Sequence, residues 1–189
     1  MMARLISRVG PCRYAPRSEH THFHHLVRAI VYQQLSGKAA ATIHRRFIEL
    51  FDTTTPSPAE VARQRLPRLR SAGLSRQKAS YIKDLARRVH TGDVPLDHME
   101  TLSDQDVIAA LTRVKGIGVW SAQMFLMFRL GRPDVLPTLD LGIRKGVQRA
   151  YGLRSMPSPK KVEQIGAPWS PWATIASWYL WRSLDGPAA

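Results

Sequence analysis

Apolar residues in this chain recur three or four positions apart, and no stretch alternates apolar with polar residues over the length of a strand. That period commits the backbone to helices and leaves no face on which to build a sheet. Phe23, Leu26, Ile30 and Val31 mark a helix over 22–34, and Ser36 is expected to cap a second, Ala39 to Phe51, faced by Ile43, Phe47 and Leu50. Pro58-Ala59-Glu60 opens a short helix with Val61 after the break at Thr53 to Pro58, Gly73 interrupts the next segment, and Lys78 to Val89 forms another helix around Ile82 and Leu85. A linker at Thr91 to Pro95 follows. Ser103 caps Asp104 to Leu111, Gly116 and Gly118 break the chain, and Val119 to Leu130 resumes helical spacing through Phe125 and Met127. Residues 104–130 therefore read as helix, tight hairpin, helix. Asp140 precedes a helix over 141–150, and Pro171 is expected to open a last one carrying Trp172, Trp178, Tyr179 and Trp181. The expected architecture is all-α: one compact unit over 1–189 with two lobes, 20–100 and 160–189 serving as packing segments around the hairpin.

Composition narrows the function. The 28 basic residues outnumber the 14 acidic ones, giving a net charge of +14, which points to a polyanionic partner and disfavours an acidic enzyme of small-molecule chemistry. The single Cys12 can form no internal disulfide, thiolate zinc site or four-cysteine iron–sulfur cluster, so an intracellular protein is expected. His20, His22, His24 and His25 cluster without neighbouring carboxylates or thiols, and the sequence favours no metal there. The richest apolar run, Met124 to Leu130, is short and contains Arg129, and the first 15 residues hold three arginines but no apolar core of signal-peptide length. Neither a membrane span nor export is expected, and the cytoplasm is the anticipated compartment.

The positive charge is concentrated: residues 111–161 contain ten lysines and arginines against Asp134 and Asp140. Inside that window Val114-Lys115-Gly116-Ile117-Gly118 joins two helices. Glycine there lets backbone amides at a helix N-terminus approach a phosphate, although an ordinary helix–helix turn uses glycine as well. Asp140 at the start of its helix satisfies a cap, whatever else it does.

Leu111-Thr112-Arg113-Val114-Lys115-Gly116-Ile117-Gly118-Val119-Trp120-Ser121-Ala122, with Asp140-Leu141-Gly142-Ile143-Arg144-Lys145-Gly146 after it, resembles the helix–hairpin–helix DNA glycosylase superfamily, in particular its alkylbase (3-methyladenine) branch. Leu26 to Ser36, Gly73 to Ala79 and Trp178 to Arg182 also look like that branch, so the resemblance spans about residues 20–183. It implies an all-helical glycosylase fold, here without the extra N-terminal β-sheet domain of larger members. It also implies double-stranded DNA with damaged bases as the partner; a monomer is expected, because the DNA must wrap into one cleft.

The resemblance assigns roles to residues. Asp140 matches the catalytic aspartate, a carboxylate able to stabilise the positive charge that builds on the deoxyribose as the N-glycosidic bond breaks. Trp120 stands where strand-nicking members carry a Schiff-base lysine, and an indole forms no imine, so hydrolysis without strand cleavage is implied. Trp120, Trp181, Met124 and Gln33 are implied to line the base pocket. Lys115, Gly116, Gly118, Ser121 and Gln34 are implied to meet DNA, with Gln34 at the wedge position that fills the space left by a flipped base. Family hairpins often hold a sodium or potassium ion through main-chain carbonyls, here those of Thr112, Val114 and Ile117; no other cofactor, and no iron–sulfur cluster, is expected. Two positions depart from the pattern: Lys115 where proline is frequent, and Ala173 where an arginine is common, the latter implying a lost bond behind the active-site helix. The substrate implied is an alkylated base such as 3-methyladenine or 7-methylguanine. A different damaged or mismatched base, or a DNA clamp without turnover, remain the competing readings.

Overall fold

The computed structural model describes residues 1–16 and 20–185. Every regular element among them is helical: α1 Met2–Val9, α2 His22–Tyr32, α3 Gly37–Ile48, α4 Pro58–Arg63, α5 Leu66–Ser71, α6 Arg76–His90, α7 Asp104–Thr112, α8 Val119–Phe128, α9 Leu141–Tyr151, α10 Pro159–Gly166 and α11 Ala173–Arg182, with short 3₁₀ turns at Leu96–His98 and Ala167–Trp169. None of these helices is long and apolar enough to cross a membrane. The chain, read as a single unit with two lobes, divides by its contacts into two compact units, residues 18–125 and residues 1–17 with 126–189. The division falls inside α8, directly beyond the hairpin, and not in a Pro- or Gly-rich linker.

The 18–125 unit is built around α6. Ala79, Ile82, Leu85 and Ala86 form its buried face, and Leu26, Ile30, Phe47, Leu69 and Leu111 are buried in the same unit. Its helices begin where side-chain oxygens catch orphan amides: Ser57 makes a full capping box with Glu60, Ser75 accepts from Lys78, and Ser103 accepts from Asp106. Ser36 occupies the cap position of α3 but makes no such bond, and α3 runs from Gly37 to Ile48, earlier at both ends than its apolar spacing predicts. The histidines pack as rings: His20 stacks on His24 at 4.4 Å, and His24 meets His44 edge-on at 5.0 Å. Glu100 brings a carboxylate to within 3.5 Å of His22, a neighbour that sequence proximity does not reveal. Among the described residues no group of three or more metal-ligating side chains converges.

In the other unit α9 and α11 lie so close at Gly146 that a Cβ there would sit 3.0 Å from the Leu180 side chain, and any larger residue would push the two helices apart. Leu5 of α1, Ile143, Val147, Val162, Trp169, Tyr179 and Leu180 form its core. The N-terminal segment, which the apolar pattern left unassigned, is thus a packed helix, and the Tyr179 hydroxyl ties it down by donating to the Gly10 carbonyl at 3.1 Å. The last helix starts at Ala173, not at Pro171, and Trp172 lies outside it, 61% exposed. The reason is an external acceptor: Asp134 takes the Ala173 amide at 3.1 Å and the Ser170 hydroxyl at 2.6 Å, setting the first helical residue.

Candidate active site

Asp140 caps α9. Its Oδ1 accepts the Ile143 amide at 2.8 Å and the Trp181 indole Nε1–H at 2.9 Å. Bonds of this kind to a charged acceptor are each worth about 1.5–3 kcal/mol, so the carboxylate is held in one orientation by a helix terminus and a ring together. Gly142 makes that arrangement possible, because a Cβ there would lie 2.8 Å from the Trp181 ring and 3.0 Å from Asp140 Oδ1. The chain leading into Asp140 is anchored too. The buried Thr174 donates its hydroxyl to the Arg132 carbonyl at 2.7 Å and accepts the Val135 amide at 3.0 Å. Asp134 adds the two bonds to Ser170 and Ala173 already described. Ala173, where an arginine was expected, gives this helix start its backbone amide and no side-chain donor.

Trp181, implied for the base pocket, is bonded to the carboxylate itself. Its Nε1–H holds Asp140, and its ring lies 5.8 Å from that of Phe128.

The base-pocket candidates Trp120, Met124 and Gln33 come together in the 18–125 unit. They line a cavity of about 630 Å³ with Ser121, His25, Tyr32 and Phe125, within the roughly 300–1,000 Å³ typical of ligand sites. Trp120 is 43% exposed at its mouth, which is more than a purely packing tryptophan shows. Tyr32 was not singled out in the sequence, and His25 only as one of the clustered histidines; both lie on α2, Tyr32 directly before Gln33 and His25 about two turns earlier.

The hairpin is braced from α6 by side chains three residues apart. Asp84 Oδ2 accepts the Lys115 amide at 3.0 Å, the Tyr81 ring covers Gly116, and the Lys78 ammonium donates to the Val31 and Gln33 carbonyls at 2.7 and 2.6 Å. Burial raises the Asp84 carboxyl, but the Lys115 amide and the Arg88 and Arg87 guanidiniums outweigh it and hold its pKa below the usual value. Gly116 has φ +81°, and a Cβ on it would stand 2.1 Å from the Tyr81 ring; a Cβ on Gly118 would meet nothing within 4 Å. The two glycines therefore differ in kind. Gly116 is required by the fold, whereas the openness around Gly118 leaves the amide end of α8 accessible to an anion.

The Lys115 amide serves Asp84 and not a ligand, while its side chain is exposed. Gln33 reaches across to donate its Nε2–H to the Gly116 carbonyl at 2.9 Å, so it ties the turn after α2 to the hairpin as well as lining the cavity. Gln34 is exposed with φ +54°, a left-handed conformation costing roughly 1–2 kcal/mol in a residue with a Cβ. Of the proposed cation-site carbonyls, that of Val114 accepts the Ile117 amide at 3.1 Å and closes the turn.

A family model described as HhH-GPD superfamily base excision DNA repair protein matches residues 27–171. The chain belongs to the HhH-GPD superfamily. Within that superfamily it is 33% identical over 184 residues to DNA-3-methyladenine glycosylase 1 of Schizosaccharomyces pombe, covering 96% of this chain and 80% of the relative. It is 30% identical over 181 residues to an alkylbase DNA glycosidase-like protein of the same yeast, covering 94% and 85%. Among solved structures it matches the 3-methyladenine DNA glycosylase of S. pombe in complex with abasic DNA, with a TM-score of 0.82, 33% identity and coverage of 99% of this chain and 93% of that one. It also matches a DNA-3-methyladenine glycosidase from Bacillus halodurans, with a TM-score of 0.87, 36% identity and coverage of 96% and 83%.

Proposed function

We propose that this HhH-GPD protein is a monofunctional DNA glycosylase that flips alkylated bases of the 3-methyladenine and 7-methylguanine type out of duplex DNA and hydrolyses their N-glycosidic bonds, initiating base excision repair. The observation that carries the reading is Asp140, a carboxylate fixed through one oxygen by Ile143 and Trp181 within a chain that matches alkylbase glycosylases over nearly its whole length. As the bond breaks, its electron pair leaves with the base and positive charge develops on the deoxyribose. An oriented anion beside the sugar stabilises that charge more than it does the uncharged sugar of the ground state, and it can deprotonate the water that attacks the sugar carbon. Alkylation already weakens the bond, so an aromatic pocket and one carboxylate suffice; the stacking face of Trp120 beside Met124 and Gln33 suits a flat cationic base. Trp120 offers no amine for a Schiff base, which supports hydrolysis without strand cleavage.

DNA contact falls to Lys115, Gly116, Gly118 and Ser121 at the hairpin and to Gln34 at the wedge. The carbonyls of Thr112, Val114 and Ile117 form an all-oxygen donor set that suits a sodium or potassium ion; when bound it would supply positive charge toward a DNA phosphate. The fit is sound, because a carbonyl oxygen has two lone pairs and the Ile117 amide uses only one on Val114. The protein acts as a monomer in the cytoplasm on this reading.

The test is base release from methylated duplex DNA by the wild-type protein beside Asp140→Asn, followed by a separate alkali step. Free methylated purine from wild type alone, with strand breaks only after alkali, is the expected result. DNA binding without base release would move the assignment to another lesion or to a clamp without turnover, and breaks without alkali would refute the inference from Trp120.

A further inference from the structure

Lys78 lies on α6, far in sequence from the turn it touches, yet its ammonium bonds two carbonyls of that turn: Val31 at 2.7 Å and Gln33 at 2.6 Å. Carbonyls at the end of a helix have no intrahelical donor and carry the negative end of its dipole, so a cation there meets both needs. The turn it holds is not a relaxed one. Gln34 adopts φ +54°, a conformation that persists in a non-glycine residue only when its surroundings over-determine it. Two restraints do so from different sides: Lys78 on the Gln33 carbonyl, and the Gly116 carbonyl on the Gln33 side chain at 2.9 Å. The turn also separates two cavities, since Gln33 and Gln34 line both the one holding Trp120 and a second of about 440 Å³ bounded by Lys78, Tyr81 and Gly116.

We infer that Lys78 is a positioning residue for base flipping, fixing the backbone of the Gln33–Gln34 turn so that the exposed Gln34 is presented as the wedge. This rests on the function proposed above. Lys78 touches no reacting atom; it acts through the turn. Burial lowers the pKa of its amine, in keeping with an ammonium drawn out of water onto those carbonyls. A helix-end cap with no part in flipping would stabilise the unit equally whatever the DNA. A wedge-positioning residue has a narrower signature, because its loss matters only when a paired base must be extruded, and extrusion is easiest for a base with no partner.

The experiment compares wild type, Lys78→Met and Lys78→Arg in single-turnover release of an alkylated base, placed once opposite its normal partner and once opposite an abasic site. Lys78→Met should slow release from the paired lesion by roughly tenfold or more, the scale on which small misplacements of a positioned group act. Release from the unpaired lesion should fall less than about twofold, since extrusion there costs little. Lys78→Arg, which keeps a cationic donor, should recover most of the loss. An equal loss on both substrates, or no loss on either, overturns the proposal. If Lys78→Met does not fold, as judged by its thermal melt, Lys78→Gln carries the same comparison with a shorter, neutral donor. Failure of wild type to release any base from either duplex counts against the glycosylase reading itself and is distinct from both results.

Discussion

Gly116→Ala is the substitution whose effect follows most directly from the geometry of the hairpin. The new methyl would start 2.1 Å from the Tyr81 Cδ2 atom, on a backbone held at φ +81°. The left-handed conformation costs a residue with a Cβ roughly 1–2 kcal/mol. Forcing the ring or the hairpin aside adds about 1–3 kcal/mol, the usual range for overpacking. Together these give a loss of roughly 2–5 kcal/mol, and at about 2–4 °C per kcal/mol for a chain of this size the melting midpoint should drop by about 4–20 °C. Thermal denaturation followed by circular dichroism measures it. Adding Tyr81→Ala removes the obstacle but not the backbone cost, so the double mutant should recover part of the loss, with a coupling of about 1–3 kcal/mol in the cycle. Gly118→Ala is the control: with open space around its Cβ it should change stability by no more than about 0.5 kcal/mol, yet weaken DNA binding by crowding the amide end of α8. A Gly116→Ala protein that melts with wild type, or one indifferent to Tyr81→Ala, would show that the ring does not set the hairpin.

Trp181→Phe keeps an aromatic ring but loses the donor to Asp140, a bond worth about 1.5–3 kcal/mol to a charged acceptor; kcat for base release should fall roughly ten- to a hundredfold with little change in DNA affinity. Burial, followed by the charges of His24, Arg28 and His20, lowers the His44 pKa to about 4 from 6.5. Between those values the unfolded chain binds the extra proton, so stability is full above pH 6.5 and declines as pH falls toward 4; His44→Phe should flatten that decline in a melting-temperature profile. Lys115→Ala should leave the melting temperature unchanged, because Asp84 holds its backbone and not its side chain. The same variant should reduce the salt-dependence slope of DNA binding by about one.

The sequence was most legible where local chemistry decides the outcome. Ser57, Ser75, Ser103 and Asp140 start helices at or within two residues of the expected positions because a cap is a bond between neighbours in the chain. It was less legible where an acceptor comes from elsewhere. The onset of α11 follows Asp134, which lies 39 residues before Ala173, and the placement of Trp181 beside the carboxylate follows a bond spanning 41 residues. The Gly73 to Ala79 segment was recognisable as a motif, but nothing in it indicated that Lys78 reaches back 45 residues to the Gln33 carbonyl.

What the sequence by itself determined is the helical class, the hairpin, the polyanionic partner and the carboxylate at a helix start, since each is written in spacing, charge or a motif of adjacent residues. What only the tertiary structure decided is how those parts are held. It distinguished Gly116 from Gly118, bonded the Trp181 indole to Asp140, gave the Lys115 amide to Asp84, and placed Lys78, Tyr81 and Asp84 along one side of α6. The physical reason is common to all four: a hydrogen bond or a van der Waals contact depends on distance in space, and residues far apart in sequence reach that distance only after the helices have packed.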